Sequence, residues 1–150
     1  MNKARLMKFL LVAMPLAAVA VAAMPTSVVV YPVQDGLAYG MPYYCSYFTL
    51  VTDANTSVCA PFAALLAALT FGLVVIWLVS KKQFWLKGVM VTSFASMTLA
   101  VLPVLVEKSV YMLPNVAVPI CMGAVCLCAR LMVRKKVSKE EKNSKRLQVH

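Results

Sequence analysis

Four stretches of this chain, residues 9–31, 60–79, 88–106 and 110–129, contain no Asp, Glu, Lys or Arg. A helix needs about 20 predominantly apolar residues to cross the hydrocarbon core of a bilayer, and each stretch is long enough. Hydrophobic residues make up 62% of the 150 and charged residues 13%. A soluble domain carries about 45–50% and 25%. A chain this short has no water-excluding core large enough to hide the surplus, and contiguous exposed apolar surface is rare on soluble monomers. Lipid is the expected solvent. The expected fold is all-α: an integral membrane bundle of four antiparallel transmembrane helices over residues 1–130, followed by a basic cytoplasmic tail over 131–150.

The formal charge of +10 superficially suggests nucleic acid, but the basic residues cluster beside the ends of the apolar stretches. No stacking aromatics interleave them in the tail, so nucleic acid is not the expected partner. They read instead as an orientation signal, because cytoplasmic flanks carry the excess of Lys and Arg. Lys3, Arg5 and Lys8 precede the first stretch, Lys81, Lys82 and Lys87 separate the second from the third, and the tail begins at Arg130. Lys108 is the one exception. Both termini are therefore expected inside a plasma membrane, with anionic lipid against the basic flanks. Residues 32–59 form the first outer loop, holding only Asp35 and Asp53, and Glu107 and Lys108 mark a short second one. Tyr31 and Tyr111 would anchor the outer ends, and Trp77, Phe84 and Trp85 the inner end of the second helix. A competing reading is a cleaved signal peptide, since Ala18-Val19-Ala20 and Ala20-Val21-Ala22 suit a signal peptidase. Cleavage would leave three spans and an outside N-terminus; hydrophobicity continuing through Val28, Val29 and Val30 favours retention.

Membrane helices associate by close packing at small residues. Ala60, Ala64, Ala68 and Gly72 form one such stripe, Gly88, Thr92, Ser96 and Ala100 a second, and Ala117, Cys121, Ala124 and Cys128 a third, with Ala-rich sequence between Ala13 and Ala23. On this reading Gly72→Leu pushes the second helix away from a neighbour. Thr92, Ser93, Ser96 and Thr98 make the third helix the most polar. Back-bonding or an interhelical hydrogen bond accounts for them; a polar pathway is the sharper alternative.

The outer segment concentrates aromatics at Tyr39, Tyr43, Tyr44, Tyr47 and Phe48. Aromatic side chains with polar tips favour the membrane interface, so residues 42–51 are expected as a short re-entrant or surface-lying helix, with ligand recognition as the alternative. Cys45 and Cys59 both fall in this outer segment. An outer disulfide between them would close a loop of about 15 residues and contribute on the order of 3 kcal/mol. Asn55-Thr56-Ser57 matches a glycosylation acceptor, which matters only in a host with that pathway.

Chemistry is sparse elsewhere. Ion-coupled transporters place ionisable groups at membrane depth, and the four stretches hold none. The only histidine is His150, which argues against paired-histidine haem ligation and a zinc site. The five glycines assemble no phosphate-binding loop. No cofactor or metal is expected. Cys126-Leu127-Cys128 is a C-x-C whose sulfurs fall on different faces of a helix, and small buried hydrophobes explain these residues.

The run Tyr44-Cys45-Ser46-Tyr47-Phe48-Thr49-Leu50, followed by a polar loop, Pro61-Phe62 and an Ala/Leu-rich helix, resembles small uncharacterised four-helix membrane proteins of Gram-positive gut bacteria. The resemblance covers most of the membrane region and implies a plasma-membrane location and the four-span fold, with no activity to carry over. The expected role is an interaction or accessory subunit acting on a membrane-protein partner or a second copy. A small transporter or pore, and a thiol oxidoreductase using Cys45 and Cys59, are the other two readings.

Overall fold

The computed structural model describes residues 3–34, 37–38, 41, 43–48, 59–106, 110–114 and 116–147. Helix α1 (Lys3–Ala23) stops well before residue 31, because Pro25 disfavours a helical conformation at the residue before it. The β-branched run that follows prefers an extended backbone, and Val28–Gln34 forms strand β1. Pro25 therefore ends the first helix. Pro15 is buried within α1. The 19 residues of Arg5–Ala23 still reach about 28 Å at 1.5 Å per residue, close to the thickness a span must cover.

Two short strands, β2 (Leu37–Ala38) and β3 (Tyr43–Cys45), follow. Helix α2 (Cys59–Ser80) and helix α3 (Gln83–Val106) come next, then β4 (Val110–Pro114) and α4 (Ala117–Leu147). All strand pairings are antiparallel and centre on β1: Val28, Val29 and Val30 pair with Cys45, Tyr44 and Tyr43, while Val33 and Gln34 pair with Ala38 and Leu37. Strand β4 also pairs with β1, from Val28↔Pro114 to Pro32↔Val110. The connection between α1 and α2 is thus stitched to the connection between α3 and α4. Residues 43–45, expected in a short interfacial helix, are strand; every second side chain of a strand falls on one face, which suits a segment laid across the end of a bundle. The fourth helix begins at Ala117 rather than near 110 for the same reason, since Val110-Tyr111-Met112-Leu113 completes the sheet. Pro119 sits in its first turn, where the missing N–H is unneeded.

Four helices are long and apolar enough to cross a membrane: Arg5–Ala23, Cys59–Ser80, Gln83–Leu102 and Ala117–Arg134. They close a ring in which α1 packs on α2, α2 on α3, α3 on α4 and α4 on α1. Two core clusters fill it. Ala18, Ala22, Ala60, Ala63, Ala67 and Met122 lie beneath Val28 and Tyr47 at the sheet end, while Leu11, Val74, Trp77, Leu86, Val89 and Val125 fill the other end. Helix α4 runs on through Leu147, where only a brief extension is expected from composition. Lys, Arg and Glu are good helix formers, and Lys136/Glu140 and Glu141/Lys145 have the four-residue spacing of favourable pairs.

Lys81 and Lys82 alone separate α2 from α3. Lys81 closes α2 with a φ of 53°, and its N–H donates to the Trp77 carbonyl at 2.8 Å. A left-handed conformation costs an L-residue roughly 1–2 kcal/mol that glycine avoids. Lys81→Gly is accordingly expected to stabilise the detergent-solubilised protein by about 0.5–1 kcal/mol, seen as a later midpoint on denaturant titration. An earlier midpoint would mean that the lysine side chain contributes more than its backbone strain costs.

Candidate functional site

Two regions hold the sequence-selected residues: the helix faces and the sheet end. On α2 the buried positions are Ala60, Ala63, Ala64, Ala67, Thr70, Val74 and Trp77. This face alternates three- and four-residue steps. The expected stripe uses only four-residue steps, each of which advances about 40° around a helix of 3.6 residues per turn. Ala60 and Ala64 lie in the core, but Ala68 is exposed. At Gly72 a Cβ would meet nothing within 4 Å. The end of the stripe has therefore rotated out of the bundle, and Gly72→Leu is expected to leave the four helices together, the reverse of the reading from spacing alone.

The α3 stripe starts at the rim of the packed face and turns into it. A Cβ on Gly88 would stand 3.6 Å from Leu73 Cδ1. Thr92 and Thr70 bring their hydroxyls to 2.9 Å, and the Ser96 hydroxyl donates to the Ala63 carbonyl at 2.8 Å. Ala100 is buried. Each threonine also has a carbonyl of its own helix in reach, Leu66 at 2.7 Å from Thr70 and Gly88 at 3.0 Å from Thr92. Ser93 and Thr98 bond the Met90 and Phe94 carbonyls at 3.1 and 3.0 Å. These four α3 hydroxyls all have partners, so they act as a clasp between α2 and α3 and as back-bonds within α3.

On α4, Ala117, Cys121, Ala124 and Cys128 are half-buried, beside the fully buried Val118, Met122, Val125 and Ala129. Cys121 packs against the sheet-end cluster and Cys128 against the other. Cys126 points to α3, with Sγ 3.8 Å from the Met90 carbonyl.

At the sheet end the expected interfacial aromatics separate. Tyr44 is exposed and Phe48 partly so, but Tyr47 is fully buried and is the largest of the fully buried side chains. The Tyr47 N–H donates to the Ala22 carbonyl at 3.0 Å, an acceptor left over at the end of α1. Ser27 Oγ lies 3.2 Å from that same carbonyl and 3.4 Å from the carbonyl of Cys45. Tyr47 is thus a core residue, and the turn after β3 is fastened to α1. Tyr43 contributes its backbone to β3; Tyr39, Asp53, the Asn55-Thr56-Ser57 triplet, Glu107, Lys108 and His150 lie outside the described residues. At the opposite end Trp77 is buried in the core rather than anchoring an interface, because position 77 continues the buried face of α2. Trp85 is half-buried, and the exposed Phe84 packs edge-on to it at 5.5 Å.

All five cysteines are thiols in the structure. Cys45 is buried in β3 and Cys59 begins α2. Burial pushes the Cys45 thiol up from its ordinary value, and it does the same to the Tyr47 hydroxyl. A raised pKa leaves less of the thiolate that disulfide exchange requires. Among the described residues no three His, Cys, Asp or Glu side chains gather as a metal site would need. The chain matches no protein-family model, no curated protein and no solved structure.

Proposed function

We propose that this chain is a multi-pass plasma-membrane protein whose four helices cross the bilayer antiparallel, with both termini in the cytoplasm, and which acts by lateral contact with a membrane-protein partner or a second copy. The observation that carries the interaction reading is the outward turn of Ala68 and Gly72, small residues four apart on an otherwise bulky apolar face with exposed Leu65, Leu69 and Ile76. Small residues at that spacing allow the close backbone approach by which membrane helices associate. The sheet supports the topology. Strand β1 from the α1–α2 connection pairs with β4 from the α3–α4 connection, so both connections share one end of the bundle. Lys81 and Lys82 join α2 to α3, and the exposed Arg130 and Arg134 flank the last turn of the apolar span of α4, which suits a cytoplasmic face.

The full chain, extracted from native membranes in mild detergent, is expected to co-purify with a stable partner or as a homo-oligomer. Gly72→Leu should reduce that recovery at least about tenfold, equivalent to 1.4 kcal/mol of helix contact, while the chain's own unfolding midpoint stays put. A monomer without companions, together with solute flux through liposomes holding only this protein, would replace the interaction reading with a pore.

A further inference from the structure

On the surface of the bundle, α3 and α4 leave between them an open groove of about 470 Å³ lined by Met90, Val91, Phe94, Ala95, Cys126 and Arg130. The volume lies within the roughly 300–1,000 Å³ typical of small-ligand sites. Its making is local: Ala95 and Cys126 are short side chains between longer ones, and the Cys126 thiol is turned inward to the Met90 carbonyl. Five of the six lining residues are uncharged and the sixth is an exposed guanidinium. A groove that is apolar along its length and cationic at one end complements an amphiphile with an anionic head.

The surrounding charges strengthen that match. Lys87 stands one helical turn before Val91 on the same face of α3, and Arg134 one turn beyond Arg130 on α4. Both are exposed. Neither α3 nor α4 up to Lys139 contains an Asp or Glu, so no carboxylate on these walls competes for the cations. Arg130 falls one turn inside the end of the apolar span Ala117–Arg134, where a long cationic side chain reaches the interface while its stem stays among apolar groups.

We propose that this groove seats one acyl chain of an anionic phospholipid whose phosphate is held by the Arg130 guanidinium, an inference that rests on the four-span reading. The planar guanidinium donates two parallel hydrogen bonds to phosphate oxygens, which an ammonium does not reproduce. This differs from diffuse attraction of lipid to the basic end in requiring both a filled groove and one particular arginine.

The test is native mass spectrometry of the full chain in detergent, titrated separately with dioleoyl-phosphatidylglycerol and dioleoyl-phosphatidylcholine. Wild type is expected to retain one phosphatidylglycerol about tenfold more tightly than phosphatidylcholine. Arg130→Gln and Ala95→Trp should each remove that preference, Arg130→Lys should keep part of it, and Arg5→Gln, which removes the same charge elsewhere, should keep it all. Val91→Trp blocks the groove from its outer wall in case Ala95→Trp does not fold. Equal retention of the two lipids overturns the proposal. So does loss of preference in Arg130→Gln with none in either Trp variant, which would reduce the site to surface charge. Displacement by millimolar inorganic phosphate would assign the site to the free anion, and a dimer abolished by the Trp variants would assign it to self-contact; both overturn it. Alkaline carbonate washing of membranes separates the two levels of failure. Release of the chain into the wash removes the four-span reading, whereas retention without lipid preference removes the lipid site alone.

Discussion

Ala63→Leu is expected to destabilise the detergent-solubilised bundle by about 3 kcal/mol, with over-packing alone costing typically 1–3 kcal/mol. Ala63 is fully buried where α2 meets α3, and its carbonyl accepts the Ser96 hydroxyl at 2.8 Å. Three added side-chain carbons cannot be accommodated without moving α2 outward, and that motion also breaks the Ser96 bond, an interhelical contact of roughly 0.6 kcal/mol on average. The paired control is Ala68→Leu on the exposed face, expected to change stability by no more than about 0.5 kcal/mol. Both are read from unfolding midpoints in a mixed-detergent titration. Equal losses at the two positions would mean that the packing face of α2 has been misassigned, and a larger loss at Ala68 would put the sequence stripe back inside the bundle.

The contrast between these two alanines also shows what was legible from sequence. The four helices stand out because the absence of charge over about 20 residues has one physical explanation in a chain this apolar. The ends of α1 and α4 did not stand out, since hydropathy is blind to backbone conformation: Val28-Val29-Val30 is as lipid-compatible in a strand as in a helix. Two local signals pointed to the strands. One is the β-branched run just after Pro25. The other is Asp35-Gly36, the dipeptide favoured between two hairpin strands, lying between Gln34 and Leu37, which pair in the sheet. The first lies inside the apolar run, whose length suits a helix equally well, and the second lies beyond it.

The packing stripes failed in a different way. Four-residue spacing places two successive residues on one face but drifts over a longer run, so Ala60 and Ala64 lie in the core while Ala68 and Gly72 face away from it. The three-residue step from Ala60 to Ala63 and from Ala64 to Ala67 carries the buried face onward to Trp77. Trp77 has the residue type of an interfacial anchor, but its register puts it with Thr70 and Val74. On α3 the same four-residue rule worked better, because the stripe begins at the rim beside Leu73 and drifts into the core at Ala100 rather than out of it.

The second large effect is expected at Tyr47, where residue type and structural role part most sharply. Truncating a fully buried aromatic side chain costs about 3–5 kcal/mol, and Tyr47→Ala should fall in that range. The side chain belongs to one buried cluster with Ala22 at the end of α1 and Ala60 at the start of α2. Its removal leaves a void where the β3 turn is fastened to α1. Cys45, buried two residues earlier in β3, supplies a second readout independent of the unfolding midpoint. In wild type its thiol should react slowly with a water-soluble maleimide, being buried and having its pKa raised by that burial. In Tyr47→Ala, with Cys59 and the α4 cysteines replaced by Ala in both backgrounds, labelling should accelerate at least about tenfold as local opening becomes easier. Tyr47→Phe keeps the ring and should retain most of the stability and the slow labelling. An interfacial Tyr47 gives the opposite pattern: truncation would shift the midpoint by less than about 1 kcal/mol and leave Cys45 labelling unchanged, and the sheet would then be a surface flap rather than the lid of the bundle core.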